Sequence, residues 1–261
     1  MASPSLEVDL NFRRFDGQTL PIRFLLEGVG AILGVVGPSG SGKSTLLRTI
    51  AGLEVASGRI VVDGSVWSDS VRKLGRPLEG RSVSYLPQNP CLFSHMNVRD
   101  NLLFALRLVK DDDRLPVFSF VSGKRRKSLS EGVLRIAERF DIVDLLERKV
   151  WGLSGGQAMK VSLARCFLKP ARIYLLDEPF TGIDPAGRQF LSGLLPDLLR
   201  EARALALWVT HAPEEMSSIL DGLAVFPAEG ELFKVERTTQ RRLREITAGS
   251  RRKGERVGEK S

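Results

Sequence analysis

An α/β fold built on a mainly parallel sheet, with antiparallel β additions and an inserted helical subdomain, is predicted for this 261-residue chain. Three observations predict it. Short apolar runs recur with helical segments between them, at residues 22–24, 31–36, 83–86, 173–176 and 205–210, the alternation expected of strands joined by crossover helices. The glycine-rich stretch Gly37-Pro38-Ser39-Gly40-Ser41-Gly42-Lys43-Ser44-Thr45 directly follows the second run. Its pattern G-x-x-x-x-G-K-[ST] between a strand and a helix is that of a P-loop NTPase core. Between residues 97 and 168 strand signals fade and helical patterns take over.

Taken in order, Ala31-Ile32-Leu33-Gly34-Val35-Val36 carries no polar side chain and reads as a buried strand,. Residues 43–51 read as a helix closed by Gly52,. Arg59-Ile60-Val61-Val62, then Asp63-Gly64, then Ser65-Val66-Trp67 is a hairpin signal, because an Asp-Gly pair suits a tight turn between two strands,. Val83-Ser84-Tyr85-Leu86 is the next strand, and Asn97 is placed to cap a helix that carries Val98, Leu102, Leu103 and Leu106,. Residues 110–130 hold Asp111-Asp112-Asp113 and Lys124-Arg125-Arg126-Lys127 in opposed blocks, and an exposed loop is expected there. Ser154, with Gln157 three residues later, forms a capping box for a helix running through Val161, Leu163, Ala164 and Phe167 and stopping before Pro170,. Arg172-Ile173-Tyr174-Leu175-Leu176-Asp177-Glu178-Pro179 is an apolar strand ending in two carboxylates. Residues 222–235 have strand-turn-strand character around Gly230.

Composition bounds the function class. With 43% hydrophobic and 27% charged residues the chain suits one large α/β domain,. No stretch approaches the roughly 18 consecutive apolar residues of a membrane-spanning helix, and no secretory leader is evident, so a cytoplasmic protein is expected. Cys91 and Cys166 lack metal-ligand spacing and are expected to be reduced thiols,. The net charge of +8 is concentrated at the end: residues 237–261 hold nine basic and three acidic side chains, so six of the eight excess charges lie there,. That polar tail is predicted to be disordered. It reads as a solvated segment, with contact to anionic lipid or nucleic acid as the alternatives; nucleic acid is disfavoured.

The chemistry begins at the glycine loop. Its glycines let backbone N–H groups and a helix N-terminus converge on one anion, so Gly37, Pro38, Ser39, Gly40, Ser41, Gly42, Lys43, Ser44 and Thr45 are expected to bind a nucleotide phosphate. Lys43 supplies a point charge for the β- and γ-phosphates, and the Ser44 hydroxyl is the expected Mg²⁺ ligand. Asp177 and Glu178, at the C-terminal tip of a buried strand, fall in the crevice where α/β sheets bind ligands. Gly155 and Gly156 permit close approach of another backbone.

In chain order these motifs resemble the nucleotide-binding subunit of ABC (ATP-binding cassette) transporters, over about residues 6–235. The matching segments are the Walker A loop at Gly37 to Thr45, a Q-loop at Leu86-Pro87-Gln88-Asn89, and the signature Leu153-Ser154-Gly155-Gly156-Gln157. Walker B follows at 173–178, a D-loop at Thr181-Gly182-Ile183-Asp184, and an H-loop at Val209-Thr210-His211. The resemblance implies an ATPase domain over residues 1–236, with the helical subdomain inserted at about 89–168. It implies ATP and Mg²⁺ as ligands, Mg²⁺ being held by Ser44, Gln88 and Asp177. It casts Glu178 as the group that activates water, with Lys43 and His211 at the reacting phosphate and Gln88 touching Mg²⁺ or the water and sensing the membrane partner. The signature would complete the site of a second protomer, identical or similar, with Asp184 coupling the two sites, and adenine would stack on Phe12 or Phe15. Ala158-Met159-Lys160 departs from the family's usual glutamine and arginine after the signature, and Thr181-Gly182 departs from its commoner small pair.

By the same resemblance the chain drives a membrane transporter whose permease subunits are separate chains, which places it on the inner face of the cell membrane. Residues 91–101 look like those of importer ATPases, so import is expected. An exporter ATPase, or a soluble ABC ATPase acting on nucleic acid or an assembly process, is the alternative. His95 has no assigned role.

Overall fold

Strands with one apolar face and strands with two sort into separate sheets. The computed structural model describes residues 3–13, 19–107, 123–212, 218–226 and 233–237. β1 (Ser5–Arg13), β2 (Thr19–Glu27), β4 (Ser57–Val62), β5 (Ser65–Asp69) and β6 (Leu74–Gly75) form an antiparallel sheet in the order β2-β1-β4-β5-β6. Leu20, Ile22, Phe24 and Leu26 are buried on β2 while the residues between them face outward, the alternation of a one-sided sheet. The run at residues 22–24 therefore belongs to this antiparallel sheet and not to the parallel one; Pro21, with no N–H, suits its edge position,. β1 lies outside the predicted runs, although Leu6, Val8 and Leu10 alternate in the same way. The β4–β5 hairpin forms as predicted, with Asp63 at φ 49° and Gly64 at φ 74°, the left-handed pair that a tight hairpin turn requires.

β3 (Ile32–Val36), β8 (Ile173–Asp177) and β9 (Leu205–Val209) are buried along their whole length. With β7 (Val83–Leu86), β10 (Gly222–Val225) and β11 (Lys234–Arg237) they form a sheet ordered β11-β10-β3-β9-β8-β7. Every pairing in it is parallel except β10–β11, the predicted antiparallel addition. Alternate side chains feed two cores. Leu33, Val35, Ile173, Leu175, Leu205 and Leu207 face α1 (Lys43–Ala51) and the antiparallel sheet. Ile32, Val36, Tyr174, Leu176, Ala206 and Trp208 face the other helices.

Those helices are α2 (Val98–Arg107), α3 (Gly123–Arg139), α4 (Gly155–Leu168) and α5 (Pro185–Glu201), and α2, α3 and α4 pack on one another. Asn97 caps α2, its Oδ1 accepting the Asp100 N–H at 2.7 Å. The expected loop at residues 110–130 is corrected over 123–130, where the backbone is the first part of α3: Lys and Arg are good helix formers, and the block runs straight into an apolar helical pattern. Asp111-Asp112-Asp113, the turn at Gly230, Phe15 and residues 238–261 of the tail lie outside the described residues. Cys91 is exposed and Cys166 buried, both as free thiols; burial pushes the Cys166 thiol up to about 11.

Candidate functional site

Four neighbouring parallel strands bring the predicted residues to one edge. Val35 of β3 pairs Val209 of β9, Val209 pairs Asp177 of β8, and Leu176 pairs Leu86 of β7. Parallel strands in this register end together, so the glycine loop, His211, the two carboxylates and Gln88 all leave the sheet at its C-terminal side.

The glycine loop joins β3 to α1 with Gly37, Gly40 and Gly42 at φ 151°, 74° and 102°, conformations that side chains rarely adopt. A Cβ on Gly37 would lie 2.7 Å from that of Phe226, so the loop is also sterically fixed at its start. Lys43 is buried, and its ammonium donates to the carbonyls of Gly37 (3.0 Å) and Pro38 (2.7 Å). Burial pulls its pKa down, against the raising effect of Glu178 and Asp177. Ser41 Oγ is buried with no hydrogen-bond partner, an orphaned polar atom inside the loop. These features fit a phosphate.

Asp177 is almost fully buried, and burial raises its pKa above the ordinary carboxylate range, with Glu178 adding to the effect; the Ser44 hydroxyl bonded to it works the other way. Ser44 and Asp177 together offer hydroxyl and carboxylate oxygens, the donors a hard cation prefers. Among the described residues no group of three or more His, Cys, Asp or Glu could hold a metal. Mg²⁺ keeps few protein ligands and shares its shell with phosphates and water. Gln88 is exposed beyond β7, and the side chain bonded to Asp177 is that of Ser44.

Glu178 sits at φ 50°, a left-handed conformation costing a non-glycine residue about 1–2 kcal/mol. Its N–H donates to the Val209 carbonyl at 3.0 Å. The turn delivers its carboxylate to His211, whose Nε2 lies 2.7 Å from Oε1, while the Thr181 hydroxyl donates to Oε2 at 3.4 Å. Glu178, Thr181, Arg188, Trp208 and His211 are among the residues lining a small open cavity of ≈ 130 Å³. Lys43, Gln88 and Asp177 do not line that cavity; Lys43 and Asp177 lie close enough to Glu178 to feel its charge.

At α4 the predicted capping box is present: Gln157 N–H donates to Ser154 Oγ at 3.2 Å, and Ser154 N–H donates to Gln157 Oε1 at 3.0 Å. Leu153 packs on the helical core. Gly155 faces open space, whereas Gly156 abuts Gly182 of the same chain. Asp184 caps α5, accepting the Gly187 N–H at 2.9 Å, a bond that lowers its pKa. Phe12 is half-buried at the end of β1, packed on the core between the sheets. The sequence reading gave no role here to Thr181, Arg48 or Tyr85. Thr181 bonds Glu178, and Arg48, ion-paired to Glu54 at 2.5 Å, also bonds Tyr85 and adds positive potential at Asp177. The available signal was spacing: Arg48 follows Ser44 by four residues, one helical turn,.

The ABC transporter family matches residues 27–181. The thiamine import ATP-binding protein ThiQ of Salmonella typhimurium is 38% identical over 202 residues, covering 77% of this chain and 78% of that protein. The molybdenum import ATP-binding protein ModC of Pseudomonas aeruginosa is 35% identical over 218 residues, 83% of this chain and 56% of the relative. This chain thus spans about half the length of the molybdenum relatives it matches. Among solved structures, cbiO1 from Clostridium perfringens, part of an ABC transporter complex, superposes with a TM-score of 0.71 at 26% identity, covering 93% of this chain and 90% of that one. An ATP-binding cassette of an ABC transporter in its ADP conformation gives 0.72 at 20% identity, with 95% of each chain covered, and shows the shared fold.

Proposed function

The chain belongs to the ABC transporter family, and on that premise we propose that it is the ATP-hydrolysing subunit of a solute importer, working as a pair of ATPase protomers beside separate permease subunits. The observation that carries the proposal is the convergence of a buried Lys43, the Ser44–Asp177 pair and the Glu178–His211 pair on one sheet edge. The relatives, thiamine and molybdenum import subunits, favour import over export or action on nucleic acid. Among the described residues no helix is long and apolar enough to cross a membrane, which is consistent with attachment to the inner face through permeases. Contact of the basic tail with anionic lipid belongs to the same proposal.

Each residue has a definable task. Lys43, now bonded to its own loop, would exchange the Gly37 and Pro38 carbonyls for phosphate oxygens, gaining a charged partner for a buried cation. Ser41 would gain the partner it lacks, and Gly37 to Thr45 would bind the triphosphate. Mg²⁺, when bound, would neutralise charge on the transferred phosphoryl group; Ser44, Asp177 and Gln88 would hold it. Glu178 would accept a proton from the attacking water, oriented by His211 and Thr181. Residues Leu153 to Gln157 would face the nucleotide of the second protomer, Asp184 would link the paired sites, and adenine would rest on Phe12 or Phe15. The test is magnesium-dependent phosphate release by the purified chain, together with the identity of the membrane protein that copurifies with it. No turnover with or without that partner, or a nucleic acid in its place, would overturn the proposal.

A further inference from the structure

The two glycines of the signature segment do different things. A Cβ placed on Gly155 meets nothing within 4 Å, whereas one on Gly156 would lie 2.5 Å from the Gly182 carbonyl oxygen and 3.3 Å from both Gly182 C and Ile183 Cα. A contact of 2.5 Å does not occur with a real Cβ, and the atoms met are backbone, which cannot rotate away,. Gly182 is itself at φ 74°, where a Cβ would find only ordinary contacts at 3.6 Å, so its backbone conformation, not crowding, calls for glycine there,.

A second strut crosses the same gap. Lys160, one turn along α4 from Gly156, holds its ammonium 5.8 Å from the Phe190 ring centroid on α5 and lowers the pKa of Asp184,. The turn that Gly156 touches is in turn bonded to Glu178: the Thr181 N–H donates to the Glu178 carbonyl at 3.1 Å, its hydroxyl to the Glu178 carboxylate at 3.4 Å, and the Ile183 N–H to the Phe180 carbonyl at 3.1 Å.

We infer that Gly156 is a positioning residue for its own chain: by letting the start of α4 seat against Gly182, it makes the signature segment and the Glu178 turn one rigid corner. Gly155 and Ser154, by contrast, are exposed. A chain whose signature is displaced by its neighbour's nucleotide therefore moves its own Glu178, and the two ends of the corner shift together. This rests on the proposed ATPase function for its consequence but not for the contact itself.

The experiment compares Gly156→Ala and Gly155→Ala in the full chain by amide hydrogen exchange and steady-state kinetics. For Gly156→Ala, exchange at the Thr181 and Ile183 amides is expected to speed up about tenfold or more while β8 stays protected. Its kcat is expected to fall about tenfold, with KM for ATP changed less than about threefold. Gly155→Ala should leave exchange at those amides unchanged. Should Gly156→Ala also unprotect β8, Lys160→Met replaces it, with a rise of about threefold expected at the same amides. Unchanged exchange at Thr181 and Ile183 in the folded variant overturns the inference, as does an equal rise in Gly155→Ala. A wild-type chain with no ATP turnover would count against the proposed function and leave the exchange result to decide the corner.

Discussion

Glu178→Gln separates chemistry from architecture. The amide has the same size, keeps the backbone bond to Val209 and can still face His211 and Thr181, so the turn at φ 50° is retained. Only basicity is lost, together with one negative charge that now raises the pKa of both Lys43 and Asp177. Removing that charge leaves more positive potential where phosphate would sit, so nucleotide affinity is expected to hold or rise. A general base contributes about 10²–10⁴ to a rate, and that is the expected fall in kcat. Phosphate release gives kcat and KM, and gel filtration with ATP and Mg²⁺ should show the variant accumulating as a nucleotide-closed dimer. Lys43→Ala is the contrast: it removes the buried cation, and ATP affinity should drop at least about tenfold. A Glu178→Gln kcat within about threefold of wild type would refute the assignment, since no base-dependent step would then limit turnover.

Three further outcomes are expected. Asp177→Asn should stabilise the fold near neutral pH: burial raises the folded-state pKa, so wild type binds a proton more tightly folded than unfolded and loses stability as pH rises from the ordinary aspartate value through the raised one,. Thermal melts across that window should show the variant's advantage growing with pH, and a constant difference would contradict it. Asn101, fully buried, accepts the Phe93 N–H at 2.8 Å and donates to the Phe93 and Asn97 carbonyls at 3.2 and 2.9 Å. Asn101→Ala should therefore cost about 2 kcal/mol or more in urea unfolding, and a loss under about 0.5 kcal/mol would show those groups to be otherwise satisfied. Glu178→Gly relieves about 1–2 kcal/mol of left-handed strain against about 0.5–1 kcal/mol of added unfolded-state entropy. Its melting temperature should hold or rise while turnover falls, and a fall of many degrees would mean that the carboxylate is structural.

Much of the site was legible because it is written in local chemistry. The glycine loop, the Ser154–Gln157 box and the acids ending β8 each depend on residues within a few positions of one another, and each stands where expected. The exposed loop expected at 123–130 was a misreading of charge as irregularity, since a basic block is as compatible with helix as with loop,. The strand at 22–24 was found but given to the wrong sheet, because a short apolar run records burial and not the partner it will pair with,.

By itself the sequence determined most of the strands in their chain order, the loop able to wrap a phosphate, and the caps that start α2 and α4, because backbone conformation and hydrogen bonds between near neighbours are set by residue type. Tertiary structure alone decided that β9 lies between β3 and β8, and so that His211 meets Glu178 across 33 residues of chain. It also decided that Gly156 is needed where α4 meets Gly182. Pairings of that kind follow from which apolar faces the two cores jointly bury, a property of the packed whole that no window of sequence contains,.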